Sequence, residues 1–263
     1  MTTSIHPTAI VEEGASLGEG VRVAAFAYIG SEVTLGDGCH IHQRATVTGR
    51  TELGAHVEVF PGAVIGTPPQ ILNFKDDGTS RLIIGASTVI REHVTIHSGS
   101  PAHGGLTKVG SNCLLMVDVH VAHDCMVGDK CVLANNVALG GHIVVEDQVW
   151  MGGLAAVHQF CRIGQHAFVG GGAIVVADVI PYGSVIGNHA HLAGLNIVGM
   201  KRRGFSRQSI HDLRAAYRML FAKEGTFSER VKDAEETYGE CAELMEIIRF
   251  IRSSKNRSLC LPE

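Results

Sequence analysis

The sequence predicts a mainly β fold, a parallel β-helix built from hexapeptide repeats, followed by a small C-terminal α-helical domain. Aliphatic residues recur at every sixth position through most of the first 175 residues, and from about Ser206 the spacing of apolar residues becomes helical. Aromatic residues make up only 5% of the chain, whereas 32 of its 263 residues are glycine. A core with so few aromatics has to be thin and repetitive, which is typical of a β-helix.

The six-residue spacing covers positions 11–65, 84–96 and 109–175, and every repeat position carries an aliphatic residue or methionine. In such a fold each hexapeptide forms a short strand and a corner, three of them form a triangular coil of about 18 residues, and the aliphatic side chain points inward. Glycine often follows the aliphatic, as at Gly18 and Gly36. We attribute these glycines to a tight corner at that position.

Five of the seven cysteines share one position of the repeat, two residues before the aliphatic. They are Cys39, Cys113, Cys125, Cys131 and Cys161. No CxxC pair occurs in the sequence, and small residues at a repeated inward position are typical of a core. We therefore predict buried thiols, and not disulfides or a redox pair.

Two interruptions shift the repeat, and each is one residue longer than a multiple of six. The segments near 68–81 and 98–108 are therefore predicted to be loops that leave the scaffold, where functional residues often lie. We place the β-helix at 1–190 and the helical domain at 191–263. In the latter, Leu213, Ala216, Tyr217 and Leu220 form a helical stripe after the candidate N-cap Ser206.

Composition argues against two classes of protein. The formal charge of −4 does not favour binding to nucleic acid. No stretch approaches the roughly 18 apolar residues of a membrane span. The opening MTTSIHPTAIVEEGAS lacks the basic start and apolar run of a signal peptide. We expect a cytoplasmic protein without stable membrane insertion.

The segment VHVAHDCMVGDKC contains the residues with the clearest chemistry. Positions 18 apart should stack on successive coils, which places His123, Gly141 and Gln159 in one column. Asp124 and His142 begin the neighbouring column. An imidazole beside a carboxylate suits a general base, and a glycine N–H one coil away suits an oxyanion. This pattern indicates acyl transfer to a hydroxyl or an amine.

Three alternatives stay open at this stage. His123 could simply lie on an outer face, because the chain has 15 histidines. A trimeric zinc enzyme of the carbonic anhydrase type would use three imidazoles, for which His120, His123 and His142 are candidates, although His120 and His123 fall on different parts of one bend. A purely structural β-helix would need neither the loops nor the basic segment 201–218.

The motifs IHPTAIVEEGASLG, REHVTIHSG, GLTKVG, AHDC, LANNVALGGH, AVHQFC, GNHA and KRRGFS occur in this order along almost the whole chain. This series resembles the UDP-N-acetylglucosamine acyltransferases of lipid A biosynthesis. The resemblance implies a left-handed β-helix and a homotrimer with active sites between neighbouring prisms. It implies transfer of an (R)-3-hydroxyacyl chain from acyl carrier protein to the sugar 3-position, without a cofactor or metal.

The resemblance also implies a role for each matching residue. His123 would be the general base, Asp124 would orient it, and Gly141 would donate its N–H to the oxyanion. The implied substrate-binding residues are His97, His120 and His142 for the sugar and acyl pocket, His158 and Gln159 for the phosphates, and Asn196, Arg202 and Arg203 for uridine and phosphate. Segment 201–218 carries six Lys or Arg against one Asp, which suits an acidic carrier protein.

Two further expectations concern selectivity. Gly171, with His189 placed 18 positions later, corresponds to the ruler for acyl length, and a glycine there predicts a chain longer than ten carbons. In the first loop the family usually reads PQDLK, whereas this chain has Gln70 followed by Ile71 and, two positions on, Asn73. The loss of the Asp and Lys leaves open an alternative acceptor, the 3-amino analogue of the sugar nucleotide, which would give an amide.

Overall fold

The computed structural model describes residues 2–254 and 257–263 and shows a three-sided prism of short strands followed by four helices. The strands are β1 (Ser4–Ile5), β2 (Ile10–Val11), β3 (Ser16–Leu17), β4 (Arg22–Val23), β5 (Tyr28–Ile29), β6 (Thr34–Leu35), β7 (His40–Ile41), β8 (Thr46–Val47), β9 (Thr51–Leu53), β10 (Glu58–Val59), β11 (Val64–Thr67), β12 (Arg81–Ile84), β13 (Val89–Ile90), β14 (Thr95–His97), β15 (Leu106–Val109), β16 (Leu114–Leu115), β17 (His120–Val121), β18 (Met126–Val127), β19 (Val132–Leu133), β20 (Ala138–Leu139), β21 (Val144–Val145), β22 (Trp150–Met151), β23 (Ala156–Val157), β24 (Arg162–Ile163), β25 (Phe168–Val169), β26 (Ile174–Val175), β27 (Gly183–Ile186) and β28 (His191–Leu195).

Every third strand joins the same sheet, as a coil of three hexapeptides requires. We call the eleven-stranded sheet from β1 to β28 face A, the nine-stranded sheet from β2 to β26 face B, and the eight-stranded sheet from β3 to β24 face C. Partners along a face are 18 residues apart, as in Val127 with Val145 and Leu139 with Val157. The fold is a left-handed parallel β-helix, so the predicted fold class is confirmed.

The repeat aliphatics form the core. Ile41, Leu133 and Ile163 are fully buried, and so are the cysteines at the shared repeat position. All seven cysteines are free thiols, and burial raises the pKa of Cys125 and of Cys161 to about 12. The prediction that the five cysteines at the shared repeat position are buried in the core is therefore confirmed.

We attributed the glycines that follow the aliphatics to a tight corner, and this explanation was wrong. The left-handed backbone conformation lies three residues after most of the aliphatics, and residues such as Asp124 and His142 adopt it with φ near 60°. A Cβ on Gly18 would instead lie 2.7 Å from the backbone nitrogen of Asp37 on the next coil. These glycines are required because neighbouring coils approach closely, not because the chain turns there.

Both predicted loops leave the prism at the corner between faces B and C, which we call corner BC. Each loop lengthens its coil, so that paired residues on neighbouring coils are more than 18 positions apart in the sequence. The separation is 31 positions for Val59 with Ile90 and 25 for Ile96 with Val121. The first loop spans 68–80. The second spans only 98–105, because Leu106–Val109 forms strand β15 and pairs with β12.

The helices follow an antiparallel hairpin of β27 and β28 on face A. They are α1 (Ile197–Arg202), α2 (Arg207–Leu220), α3 (Phe227–Tyr238) and α4 (Ala242–Arg252). Ser206 caps α2 by accepting from the Ser209 N–H, and Leu213 is buried, as the apolar stripe predicts. The division at 190/191 stays a prediction. Of the described helices, none is long and apolar enough to cross a membrane.

Candidate active site

The structure brings His123 and Gly141 into direct contact at corner BC. His123 follows strand β17, and Gly141 lies on the next coil, immediately over the imidazole. A Cβ built on Gly141 would lie 2.7 Å from Cε1 and 2.9 Å from Nε2 of His123. Among the described residues, the Gly141 N–H donates to neither a backbone nor a side-chain acceptor. A backbone donor therefore lies beside an imidazole, as the 18-residue spacing predicts.

Asp124 holds the imidazole from its other side. Nδ1 of His123 lies 2.7 Å from Oδ2 of Asp124, and the carboxylate side chain is only 4% exposed, against 16% for the imidazole. An Nδ1–H donated to the carboxylate leaves Nε2 with its lone pair free. This is the tautomer that a general base requires, and its free nitrogen lies next to Gly141.

The second loop orients Asp124. Ser100 donates twice, from its N–H to Oδ1 at 2.8 Å and from its hydroxyl to Oδ2 at 2.6 Å. The Asp124 N–H donates to the hydroxyl oxygen of Thr107 at 2.8 Å. Sequence reasoning missed both residues, although the break in the repeat marked their loop. The loop thus aims the carboxylate at His123.

We expect Ser100→Ala to lower kcat by about 10- to 100-fold with little change in KM, since a hydrogen bond to a charged group is worth about 1.5–3 kcal/mol. Ser100→Thr keeps the hydroxyl and should restore most of the rate. Steady-state kinetics and the downfield proton resonance of the His123 Nδ1–H measure both effects. Equal losses in the Ala and Thr variants would show that Ser100 acts only by packing.

Further imidazoles surround this pair. The His142 ring stacks on Phe160 with centroids 4.6 Å apart and meets the His123 ring edge-on at 5.0 Å. Burial beside His120 and His123 lowers the pKa of His97 to about 4, and burial also lowers the pKa values of His120 and His142. These imidazoles are therefore neutral near pH 7, and they line the space around His123.

The zinc site considered from the sequence, with His120, His123 and His142 as ligands, does not form within one chain. His120 Nδ1 lies 2.7 Å from the Thr95 hydroxyl, and His123 is engaged by Asp124. In the part of the chain that the structure describes, two trios have ligand atoms within 4.8 Å of one another. They are His40, His42, Glu58 and His103, Asp124, His142. Neither trio contains His120 or His123.

His158 and Gln159 lie exposed on the coil beyond Gly141. Arg257 from the C-terminal segment contacts both residues, with Nη2 2.6 Å from Nδ1 of His158 and 2.9 Å from the carbonyl oxygen of Gln159. Sequence reasoning gave no sign of this arginine. It adds a positive charge beside the two residues predicted to approach the phosphates.

The predicted nucleotide residues lie elsewhere on the same chain. Arg202 and Arg203 line a cavity of about 670 Å³ on face A, whose wall includes Trp150 and Phe168. Arg203 donates to the carbonyl oxygen of Gln148 at 2.7 Å, and burial lowers its pKa. This cavity lies on face A, whereas the His123 column lies at corner BC.

Asn196 also lines that cavity, but the fold already uses its amide. Its oxygen accepts from the Gly199 N–H, which caps α1, and its nitrogen donates to the carbonyl oxygen of His166, both at 2.9 Å. One amide N–H and one oxygen lone pair are therefore engaged within the chain. The predicted contact of Asn196 with uridine can use the second N–H and the second lone pair.

The acyl-ruler residues lie at the corner between faces A and B. Gly171 is exposed, and a Cβ there would meet only the backbone of Gly153, at 3.3 Å from its oxygen. The expected stacking of His189 on Gly171 was wrong, because Val169 pairs with Val185, 16 and not 18 positions later. The position is open, as predicted.

The first-loop residues Gln70, Ile71 and Asn73 are all exposed. Their loop opens from corner BC, the corner that carries His123. No described contact joins these three side chains to the histidines. The structure therefore places this loop on the same corner as His123.

Comparisons with known proteins find relatives that match nearly the whole chain. A family model described as "Udp N-acetylglucosamine O-acyltransferase; Domain 2" matches residues 178–260, and a bacterial transferase hexapeptide model matches residues 106–141. The acyl-[acyl-carrier-protein]–UDP-N-acetylglucosamine O-acyltransferase of Caulobacter vibrioides is 54% identical over 260 residues, 99% of this chain and 98% of that protein. Its Bartonella henselae counterpart is 47% identical over 261 residues, 99% and 95% of the two chains.

A solved structure, the UDP-N-acetylglucosamine acyltransferase from Campylobacter jejuni, matches with a TM-score of 0.92 at 35% identity and covers 98% of this chain and all of that one. The similarity thus extends over both the prism and the helices. The chain belongs to the acyl-[acyl-carrier-protein]–UDP-N-acetylglucosamine O-acyltransferase family.

Proposed function

We propose that this protein transfers an (R)-3-hydroxyacyl chain from acyl carrier protein to the 3-hydroxyl of UDP-N-acetylglucosamine, the first step of lipid A biosynthesis. The names of its relatives give the donor and the acceptor. The observation that carries the mechanism is the contact between the His123 imidazole and the Gly141 backbone. We infer a cytoplasmic location, because the carrier-protein donor and the nucleotide-sugar acceptor are both water-soluble.

In the proposed mechanism, Nε2 of His123 takes the proton of the sugar 3-hydroxyl while that oxygen attacks the thioester carbonyl. The carbonyl oxygen becomes an oxyanion and accepts from the Gly141 N–H. The imidazolium is stabilised by Asp124 at 2.7 Å. Collapse breaks the C–S bond, and the leaving phosphopantetheine thiolate takes the proton back from His123. The thioester is already activated, so the step needs no bound cofactor.

A homotrimer would complete the site. The His123 column, the open position at Gly171 and the arginine cavity lie at three different parts of one prism. One chain cannot present all of them to a single substrate, whereas neighbouring prisms packed side by side can. We therefore infer active sites in the clefts between subunits, with the arginines supplied by the neighbour of the chain that supplies His123.

Mixed assemblies test this arrangement. Trimers formed randomly from equal amounts of His123→Ala and Arg202→Glu chains should regain about a quarter of wild-type activity, because about one cleft in four then combines two intact surfaces. Wild-type chains mixed with His123→Ala chains should retain about half. Activity no higher than the mean of the two inactive variants would mean that each site forms within a single chain.

This chain has a basic surface near the cavity that is suited to binding the carrier protein. Of the six basic residues in segment 201–218, all except Arg203 are exposed: Lys201, Arg202, Arg207, Arg214 and Arg218. The only carboxylate in that segment is Asp212. An acidic carrier protein would be attracted to this surface, mainly by faster association at low salt.

Product analysis tests the function directly. Purified protein should convert UDP-N-acetylglucosamine to a 3-O-acyl ester, and from mixed donors it should favour chains longer than ten carbons, since Gly171 leaves its corner open. The relatives are named O-acyltransferases, so the amide alternative is not favoured. Mass spectra showing transfer only to the 3-amino sugar would overturn the ester assignment, and mainly ten-carbon products would overturn the chain length.

A further inference from the structure

His103, Asp124 and His142 form a compact ligand set beside the proposed catalytic pair. Their ligand atoms lie within 4.8 Å of one another. Nδ1 of His142 is 3.7 Å from Oδ2 of Asp124, and the rings of His103 and His142 meet at 67° with centroids 4.3 Å apart. We propose that a zinc-class divalent ion binds His103, Asp124 and His142 and reversibly inhibits the enzyme.

The distance between the ligand atoms of His142 and Asp124 is close to that in a tetrahedral zinc site. With Zn–N and Zn–O bonds of about 2.0–2.2 Å, neighbouring ligand atoms lie about 3.3–3.5 Å apart. The pair of His142 and Asp124 needs to close by only a few tenths of an ångström. His103 is exposed and ends the short 3-10 turn Pro101–His103, so its side chain can move toward the ion at small cost. Water would fill the fourth position.

The charges also favour this trio. The titratable groups that act on His142 are Asp124, His103 and His123, with no arginine or lysine among them. A carboxylate among imidazoles is a better cation site than one neutralised by a guanidinium.

The second trio, on faces A and B near the start of the prism, lacks this advantage. Arg22 acts on His40, and Arg91 acts on Glu58 while its guanidinium stacks on Phe60 at 4.5 Å. His42 Nε2 is also paired with Glu58 Oε1 at 2.8 Å. Two nearby arginines oppose a divalent cation, so we assign the tighter site to the trio at corner BC.

The metal would inhibit because it would bind the carboxylate oxygen of Asp124 that orients His123. Oδ2 of Asp124 is the atom that accepts from His123, at 2.7 Å, and from the Ser100 hydroxyl, at 2.6 Å. A bound ion would withdraw that oxygen from His123 and place positive charge where the imidazolium has to form. This consequence rests on the proposed role of His123, whereas binding of the metal does not.

Titration calorimetry with zinc chloride, on chelator-treated protein in a buffer that does not bind zinc, measures the binding. All variants also carry His42→Asn, which removes one ligand of the second trio so that this trio does not contribute to the measured zinc binding. His103→Gln should weaken zinc binding and zinc inhibition together by at least about tenfold. Without metal it should retain most of the wild-type activity, because the His103 imidazole hydrogen-bonds only the Ser100 hydroxyl among the described residues, at a long 3.3 Å, and the glutamine amide can replace that contact. Magnesium should neither bind tightly nor inhibit.

Unchanged zinc affinity in His103→Gln would overturn the site. Zinc binding lost in His103→Gln but without inhibition of the parent protein would overturn the regulatory role. Activity that rises on adding zinc would overturn the inhibition and support a catalytic metal. Zinc binding that depends on His103 in a protein with no acyl transfer at all would confirm the metal site while refuting the proposed function.

Discussion

His123→Ala should lower kcat by about 10²- to 10⁴-fold, the range expected when a general base is removed. Among the described residues, the His123 imidazole is the group in contact with the Gly141 backbone, and its Nδ1 is fixed by Asp124 at 2.7 Å. Pre-steady-state measurement of acyl transfer from carrier protein, at saturating sugar nucleotide, gives the rate of the chemical step directly.

Stability serves as the control for this variant. The His123 side chain is 16% exposed, and after its removal the carboxylate of Asp124 keeps both donors from Ser100. We therefore expect the free energy of unfolding to change by only about 1 kcal/mol. A variant that folds normally and still turns over at the wild-type rate would remove His123 from the mechanism.

Gly141→Ala should reduce kcat by about 10²-fold, although it adds a single methyl group. The new Cβ would lie 2.7 Å from Cε1 and 2.9 Å from Nε2 of His123, closer than van der Waals contact allows. The imidazole has to move, and any rotation weakens its contact with Asp124. Single-turnover kinetics should show a slower chemical step with little change in affinity for the sugar nucleotide.

Gly153→Ala is the matched folding control, since Gly153 occupies the same position of the repeat at another corner. A Cβ there would meet only the carbonyl oxygen of Asn135, at 3.3 Å. Neither glycine has a left-handed backbone, so alanine is conformationally allowed at both. If the two variants lost thermal stability alike and Gly141→Ala kept its activity, the close approach of Gly141 to His123 would not matter for catalysis.

Much of this architecture could be read from a period of six. A repeat fixes which residues face inward and which stack 18 positions apart, so the sequence placed Gly141 over His123 without any knowledge of side-chain contacts. The repeat also predicted that the five cysteines at the shared repeat position lie in the core. The register failed where the repeat ended, for example at the pairing of Val169 with Val185, so that His189 does not stack on Gly171.

Contacts made by segments outside the repeat could not be predicted in this way. Ser100 reaches Asp124 from a loop whose path no periodicity describes, and Arg257 reaches His158 from 99 residues away. The positions of Arg202 and the His123 column on different parts of the prism could not be predicted either, because a sequence motif identifies residues but not where they lie on the prism. Sequence shows that a loop exists, whereas its contacts depend on tertiary packing.

A crystal structure with the acylated UDP-sugar product would show most directly whether His123 and Gly141 act on one ester. We expect the esterified sugar oxygen within about 3 Å of Nε2 of His123 and the acyl carbonyl oxygen within about 3 Å of the Gly141 nitrogen. A product bound with its ester on another face of the prism, out of reach of both groups, would contradict it.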